Sequence, residues 1–346
     1  MQSILVEGRT GRSHIMIGES LANVGNHLPP GRTIVITDKN IARLYQDQFP
    51  HADIITIGTG EKIKTLATVE KIYGKLLSME VDRTAFIVGI GGGIVGDITG
   101  FAASTYLRGL GFGFVATSLL AQVDATVGGK NGVNFKGYKN MVGLFNQPQF
   151  VMADIELLKT LPTDEVACGL AEIVKHACIA DADYFAYIES HKDAILRREQ
   201  AVLHKLVHDS VVIKSNVVNR DERETGERRK LNFGHTFGHA LEKTLGISHG
   251  AAVSVGMVLA TELSRQRGLL GKPEVERIQS LLMSLNLPTH IDFNPKAVIE
   301  ALGKDKKRED ERIKFVLLDD IGKAVVKEIA IDELAQWIQE ESAGGP

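Results

Sequence analysis

Up to about residue 150, short runs of β-branched and apolar residues alternate with stretches of helical periodicity, and this rhythm narrows the choice of fold most. "TIVITD", "ADIITIG", "TAFIVGI" and "GFGFVATS" read as buried strands, while "NIARLYQDQF" and "IKTLATVEKIYGKLLSM" repeat with a helical period. Strand, helix, strand in sequence is the signature of a parallel sheet, because parallel neighbours need a crossover and a helix supplies it. Such a sheet binds ligands at the carboxyl ends of its strands. Ahead of these, "SILVEG" and "SHIMIG" flank the glycine-containing "GRTGRS" and read as a hairpin. The character changes after "FVMADIELLKTLP", Phe150 to Pro162, where long helical runs take over. Near the end, "RIKFVLL", "DDIG" and "KAVVKEI" predict a small hairpin before a last helix, "IDELAQWIQEE".

The expected fold class is therefore α/β: an amino-terminal α/β domain with a mostly parallel sheet over residues 1–155, then a mainly α-helical domain over 156–346. A chain of 346 residues exceeds the ~250–300 at which single cores usually divide, so two domains fit its length. A net charge of −3 gives no broad positive field for nucleic acid or an anionic membrane, and neither is expected as a partner. The two cysteines, Cys168 and Cys178, lack CxxC spacing and fit reduced packing residues. The opening "MQSILVEGRTGR" has no long apolar core, and no segment reaches the ~18 apolar residues of a membrane span. The expected compartment is the cytoplasm.

Glycine is over-represented: 35 residues, about 10% against a usual ~7%. One cluster, "GIGGGIVGD" from Gly89 to Asp97, directly follows a predicted strand and opens a predicted helix. Glycines let backbone approach a phosphate, and a helix amino terminus offers unpaired N–H groups. Gly91, Gly93 and Gly96 satisfy GxGxxG, yet the acidic residue that the usual dinucleotide fingerprint places ~20 residues later is missing. A carboxylate does end an earlier strand, Asp38 in "TIVITD", where it could meet a ribose. A tight strand-to-helix turn without a ligand is the plainer alternative.

Farther on, "LLAQVDATVGGKNGVN" and "GYKNMVGLF" set lysine and asparagine beside glycine-rich turns, where amine and amide donors can converge on oxyanions or simply decorate an exposed loop. "GLAEIVKHA" puts Glu172 on one helical face with Lys175 and His176, among apolar neighbours that make an unpaired charge costly. His235, His239 and His249 fall within fifteen residues in "NFGHTFGHALEKTLGISHG". One glutamate with two histidines is a common three-ligand zinc set that leaves a coordination position open. HExxH is absent, so the usual metalloprotease motif is excluded, and a histidine pair on a helix can equally be a core or capping feature.

Taken in order, "GIGGGIVGD", "TYLRG", "LLAQVDATVGGK", "YKN", "LKTLP", "GLAEIVKHA", "NVVNRDERETGERRKLNFGHTFGHALE" and "HGAAVSVGM" resemble the 3-dehydroquinate synthase family, within the sugar phosphate cyclases, from about residue 30 to 330. The resemblance implies an NAD-binding α/β domain followed by a helical domain, usually paired as a homodimer. It implies NAD contacts from Asp38, Glu61, Lys64, Gly92, Gly93, Asp97, Thr117, Ser118, Lys130, Lys139, Thr160 and Leu161. A divalent metal, zinc or cobalt, would be held by Glu172, His235 and His249. Lys130, Asn140, Lys175 and His239 would carry the catalytic roles, and Arg108, Asp124, Lys214, Arg228, Asn232 and Lys306 would bind a phosphorylated sugar acid. Lys307 competes with Lys306 for its place, and Arg108 would act from the partner subunit. Two departures stand out: Ala251 where the family usually reads "HGEAV", and Asn131 where it often reads "GGKTG". Alternative readings are a sister cyclase of the 2-deoxy-scyllo-inosose or valiolone type, a metal-dependent polyol dehydrogenase, and a noncatalytic dinucleotide sensor.

Overall fold

The computed structural model describes residues 1–303, 308–309 and 312–343. Its first half is built on nine strands: β1 (Gln2–Gly8), β2 (Gly11–Ile17), β3 (Thr33–Asp38), β4 (Asp53–Ile57), β5 (Phe86–Gly91), β6 (Gly111–Ala116), β7 (Lys130–Phe135), β8 (Tyr138–Phe145) and β9 (Phe150–Ala153). Seven of them form one sheet in the order β1-β2-β9-β6-β5-β3-β4. All its pairings are parallel except the β1–β2 hairpin. β5 is buried along its whole length, as a central parallel strand covered on both faces must be. Burying each Ile, Val or Phe of such a strand contributes about 1.5–3 kcal/mol.

Helices α1 (Lys39–Tyr45), α2 (Leu66–Ser78) and α3 (Gly93–Thr105) make the crossovers. α2 starts where the Thr65 hydroxyl accepts from the Thr68 N–H and buries Val69, Ile72 and Leu76 along one stripe. α3 is apolar nearly all round, burying eight of its thirteen residues.

Two elements of this half are absent from the sequence-based expectation. β9 is only four residues, too short for a period to show. The segment read as glycine-rich loop is instead the β7–β8 hairpin, with Phe135 opposite Tyr138. Its two-residue turn is Lys136-Gly137, both at positive φ (48° and 80°), as a type I′ turn demands. Lysine at the first turn position is a weaker signal than the Asn-Gly that marks such turns, so the hairpin stays hidden in sequence.

The second half contains α4 (Thr163–Ala180), α5 (Ala182–Leu196), α6 (Gln200–Arg220), α7 (His235–Leu245), α8 (His249–Gln266), α9 (Lys272–Ser284) and α10 (Pro295–Gly303). A three-stranded antiparallel sheet follows, β10 (Arg308–Glu309), β11 (Arg312–Asp320) and β12 (Lys323–Ala330), and then α11 (Ile331–Ala343). The hairpin and last helix expected from sequence are β11, β12 and α11. No helix among the described residues is long and apolar enough to cross a membrane.

Two compact units result: residues 1–162 together with 203–223, and residues 163–202 together with 224–346. Most of α6 thus belongs with the first unit. Its carboxyl end is fastened to the β1–β2 hairpin, where Asn219 accepts from the Glu7 N–H (2.9 Å). Just beyond it, Glu222 accepts from the Arg9 N–H (2.8 Å), the Thr10 hydroxyl (2.6 Å) and the Gln147 amide (3.0 Å).

Candidate active site

In the first unit the glycine turn does what its position after a strand suggested. β5 ends at Gly91, Gly92 caps α3, and the Thr117 N–H donates to the Gly91 carbonyl (3.0 Å), tying the end of β6 to the turn. A Cβ on Gly93 would lie 2.9 Å from that of Ala125, so this helix start tolerates no side chain. Thr117 and Ser118 are buried beside it. Asp38 ends β3 and caps α1, its Oδ1 accepting from the N–H groups of Asn40 (2.7 Å) and Ile41 (3.1 Å). Glu61 lies in the turn before α2 and accepts from Asn134 Nδ2 (2.8 Å). Thr160 and Leu161 close a short helical turn, Ile155–Thr160, with the Thr160 hydroxyl against that of Tyr45.

Acid and base are matched in this unit. Lys64, buried, forms an ion pair with Asp97 on α3. Burial pushes the Asp97 carboxyl up, and the Lys64 ammonium opposes that shift without cancelling it. Lys214 on α6, also buried, donates to both the carbonyl and Oδ1 of Asp124, each at 2.6 Å. Asp124 lies on a π-helical turn, Ala121–Ala125. Lys130, Lys139 and Asn140 are exposed on the β7–β8 hairpin, and Arg108 is exposed on the turn after α3 with φ of 70°. Asn131 is buried at the hairpin base, where its amide donates to the carbonyls of Gly129 (3.0 Å) and Asn146 (2.9 Å). A threonine carries no such pair of donors.

In the second unit, α4, α7 and α8 bring together residues that stand far apart in the chain. Glu172 Oε1 is 3.3 Å from Nε2 of His235 and 3.3 Å from Nε2 of His249. The three donor atoms lie within 4.8 Å of one another. Each imidazole has its other nitrogen occupied: His235 Nδ1 faces the Phe233 carbonyl at 3.2 Å, and His249 Nδ1 faces Glu242 Oε2 at 3.7 Å. A proton held at Nδ1 leaves the Nε2 lone pair for a cation, which is how outer partners orient metal-bound histidines. Glu172 is fully buried, and its second oxygen pairs with the buried Lys175 ammonium. Burial alone would raise Glu172; Lys175 first, then His235 and His249, outweigh it and hold the carboxyl well below its usual range. One buried carboxylate kept ionised beside two Nε2 atoms fits a tetrahedral cation with three protein ligands and one open position.

His239 follows His235 by one helical turn, yet it is exposed and outside the three converging donors. Its ring lies 5.2 Å from that of His235 and 6.4 Å from that of His249. Arg228 is buried and Asn232 half-buried in a helical turn, Glu227–Asn232, where the Asn232 amide bonds to Glu224. Lys306 and Lys307 lie outside the described residues. Glu242 is absent from the sequence-based candidates, although it shares the face of His235 and His239 at helical spacing.

The family model for the 3-dehydroquinate synthase N-terminal domain matches residues 54–168, and that for its C-terminal domain matches residues 169–308. The chain belongs to the 3-dehydroquinate synthase family. The 3-dehydroquinate synthase of Halorhodospira halophila is 43% identical over 323 residues, covering 90% of this chain and 91% of that protein. That of Nitrosospira multiformis is 41% identical over 314 residues, covering 87% and 86%. Among solved structures, 2-deoxy-scyllo-inosose synthase complexed with carbaglucose-6-phosphate, NAD+ and Co2+ superposes with a TM-score of 0.87 at 26% identity, over 98% of this chain and 100% of that one. The 2-epi-5-epi-valiolone synthase of Streptomyces hygroscopicus subsp. jinggangensis, with NAD+ and Zn2+ bound, gives 0.87 at 27% identity over 99% of each chain. A probable glycerol dehydrogenase from Sinorhizobium meliloti, at 16% identity and a TM-score of 0.64, shares the fold alone.

Proposed function

We propose that this chain is a 3-dehydroquinate synthase that converts 3-deoxy-D-arabino-heptulosonate 7-phosphate to 3-dehydroquinate and phosphate, using NAD and a divalent cation, zinc or cobalt. The observation that carries the reading is the convergence of Glu172, His235 and His249 in a chain whose two halves both match this family. Bound NAD supplies a hydride acceptor that is regenerated within each turnover, and the cation polarises the alcohol being oxidised.

The protein's own groups do the rest. Glu172, His235 and His249 hold the cation, and their Nδ1 partners keep both imidazoles aimed at it. Asp38 and Glu61 accept from ribose hydroxyls, and Gly92 and Gly93 let the pyrophosphate approach backbone. Lys64, Asp97, Thr117, Ser118, Lys130, Lys139, Thr160 and Leu161 complete the dinucleotide contacts. A substrate with a phosphate and a carboxylate needs local positive charge in a chain of net charge −3. Lys130, Lys175, Lys214, Arg228 and His239 supply it, with amide donors from Asn140 and Asn232. Asp124 meets the substrate hydroxyls, and Lys306 adds a further cation. His239, exposed beside the cation ligands, moves a proton on the phosphate side. Arg108 of the partner subunit completes the site in a homodimer, and the compartment is the cytoplasm.

The test is to incubate purified protein with the heptulosonate phosphate, catalytic NAD and zinc or cobalt, following phosphate and 3-dehydroquinate together. Equimolar release without build-up of NADH is expected. Stoichiometric NADH would indicate a polyol dehydrogenase. Phosphate released only from sugar phosphates lacking the carboxylate would indicate a sister cyclase.

A further inference from the structure

Asn134 has no part in the roles above, yet it ties three pieces of the first unit together. Val133 pairs with Val142 but Phe135 with Tyr138, so the bulge is in β8, residues 139–141, and Asn134 lies opposite it, outside the hairpin ladder. Its N–H donates instead to the Lys64 carbonyl (2.8 Å), and it bridges in parallel to Thr65. Its side chain works in both directions. Nδ2 donates to Glu61 Oε1 (2.8 Å), and Oδ1 accepts from the Asn140 N–H (2.9 Å). Asn140 is held there at φ of 51°, a left-handed backbone that a non-glycine residue keeps only when its surroundings fix it.

One amide thus fixes the direction of the Glu61 carboxylate and the backbone of Asn140 at once. We infer that Asn134 is a positioning residue that couples the dinucleotide turn, Glu61 to Lys64, to the hairpin strand carrying Lys139 and Asn140. An amide meets both needs at once, offering a donor to Glu61 and an acceptor to the Asn140 N–H. The inference rests on the reading of Glu61 as a ribose contact and of Asn140 as a catalytic group.

Two variants separate the two halves of the contact. Asn134→Asp keeps an acceptor for the Asn140 N–H but sets a second carboxylate against Glu61; Asn134→Ala removes both bonds. NAD affinity is measured by titration calorimetry, kcat and KM with the heptulosonate phosphate, and stability by thermal melting. Asn134→Asp is expected to weaken NAD about tenfold, the effect of losing a hydrogen bond to a charged group, with kcat at saturating NAD near that of the parent. Asn134→Ala is expected to weaken NAD to a similar degree and also to lower kcat, while both variants melt close to the parent. Variants that match the parent in NAD affinity and kcat, or that lose them only in step with melting temperature, overturn the inference. A parent protein that binds no NAD overturns the dinucleotide reading and this inference with it, so the two failures are told apart by the parent alone.

Discussion

The three helices that carry Glu172, His235 and His249 approach closely because glycine stands at their crossings, and replacing Gly256 with alanine tests that directly. In α8 a Cβ on Gly256 would lie 2.0 Å from the Gly234 carbonyl oxygen and 2.8 Å from the Gly238 nitrogen. The first of these falls about 1.5 Å short of ordinary contact. Both obstacles are backbone, so no side chain can rotate away, and α7 and α8 must separate. Two effects compete. Alanine is a better helix former than glycine by roughly 0.5–1 kcal/mol. Overpacking a close-packed contact costs about 1–3 kcal/mol or more, and the depth of this clash favours the upper end. The net expectation is a loss of about 2 kcal/mol and, for a chain of 346 residues, a melting temperature lower by roughly 3 °C. Because His235 opens α7 and His249 opens α8, bound zinc should also fall, measured by elemental analysis after dialysis. Gly74 is the internal control: it lies in the middle of α2, and a Cβ there would meet nothing within 4 Å. Gly74→Ala should therefore stabilise by about 0.5–1 kcal/mol. A Gly256→Ala protein that melts at or above the parent and keeps its zinc would refute the argument.

Three further outcomes follow from the same geometry. In the metal-free protein the His249 imidazole is pushed up to about 9: burial alone would lower it, and its contacts with Glu172 and Glu242 prevail. Its stabilising charge is fully present below about 6.5 and lost as pH rises through about 9. Zinc must displace that proton, so affinity should rise about tenfold per pH unit up to 9, with one proton released per ion, read by calorimetry in buffers of different ionisation enthalpy. Glu172→Gln should abolish zinc binding and turnover, whereas His239→Ala should keep its zinc and lose about 10²–10⁴ in kcat, both read as metal content and rate. Ser248 caps α8, its hydroxyl accepting from the Ala251 N–H (3.4 Å), so Ala251→Glu would complete a capping box and should raise stability by about 0.5–1 kcal/mol in thermal melting.

How far the site could be read from sequence depends on the range of the interaction that builds it. The strand-to-helix glycine turn is local: a strand, a few glycines and a helix start within ten residues, so pattern alone shows it, whereas Asp38 is legible as a strand end but its cap on α1 only from the structure. Glu172, His235 and His249 could be nominated by residue type, but their meeting depends on contacts between backbones, such as Gly250 against Cys168, where a Cβ would lie 2.5 Å from Cα. No periodicity records such a contact. The β7–β8 hairpin stays hidden because its strands are half exposed, its turn is Lys-Gly, and the β8 bulge opposite Asn134 breaks the alternation that a strand signal needs. The two departures from the family pattern divide in the same way. Asn131 has a structural account only in three dimensions, since the carbonyls it bridges belong to Gly129 and Asn146, which flank the two strands where they meet at the hairpin's base. Ala251 can be understood from four consecutive residues, because a missing glutamate three places after a capping serine is visible in sequence. The local irregularity therefore touches the stability of one helix end, and the nonlocal one touches the placement of Lys130, its chain neighbour. If Asn131→Thr lowers turnover more than Ala251→Glu changes it, at matched melting temperature, range along the chain is what separates a site residue from a capping detail in this protein.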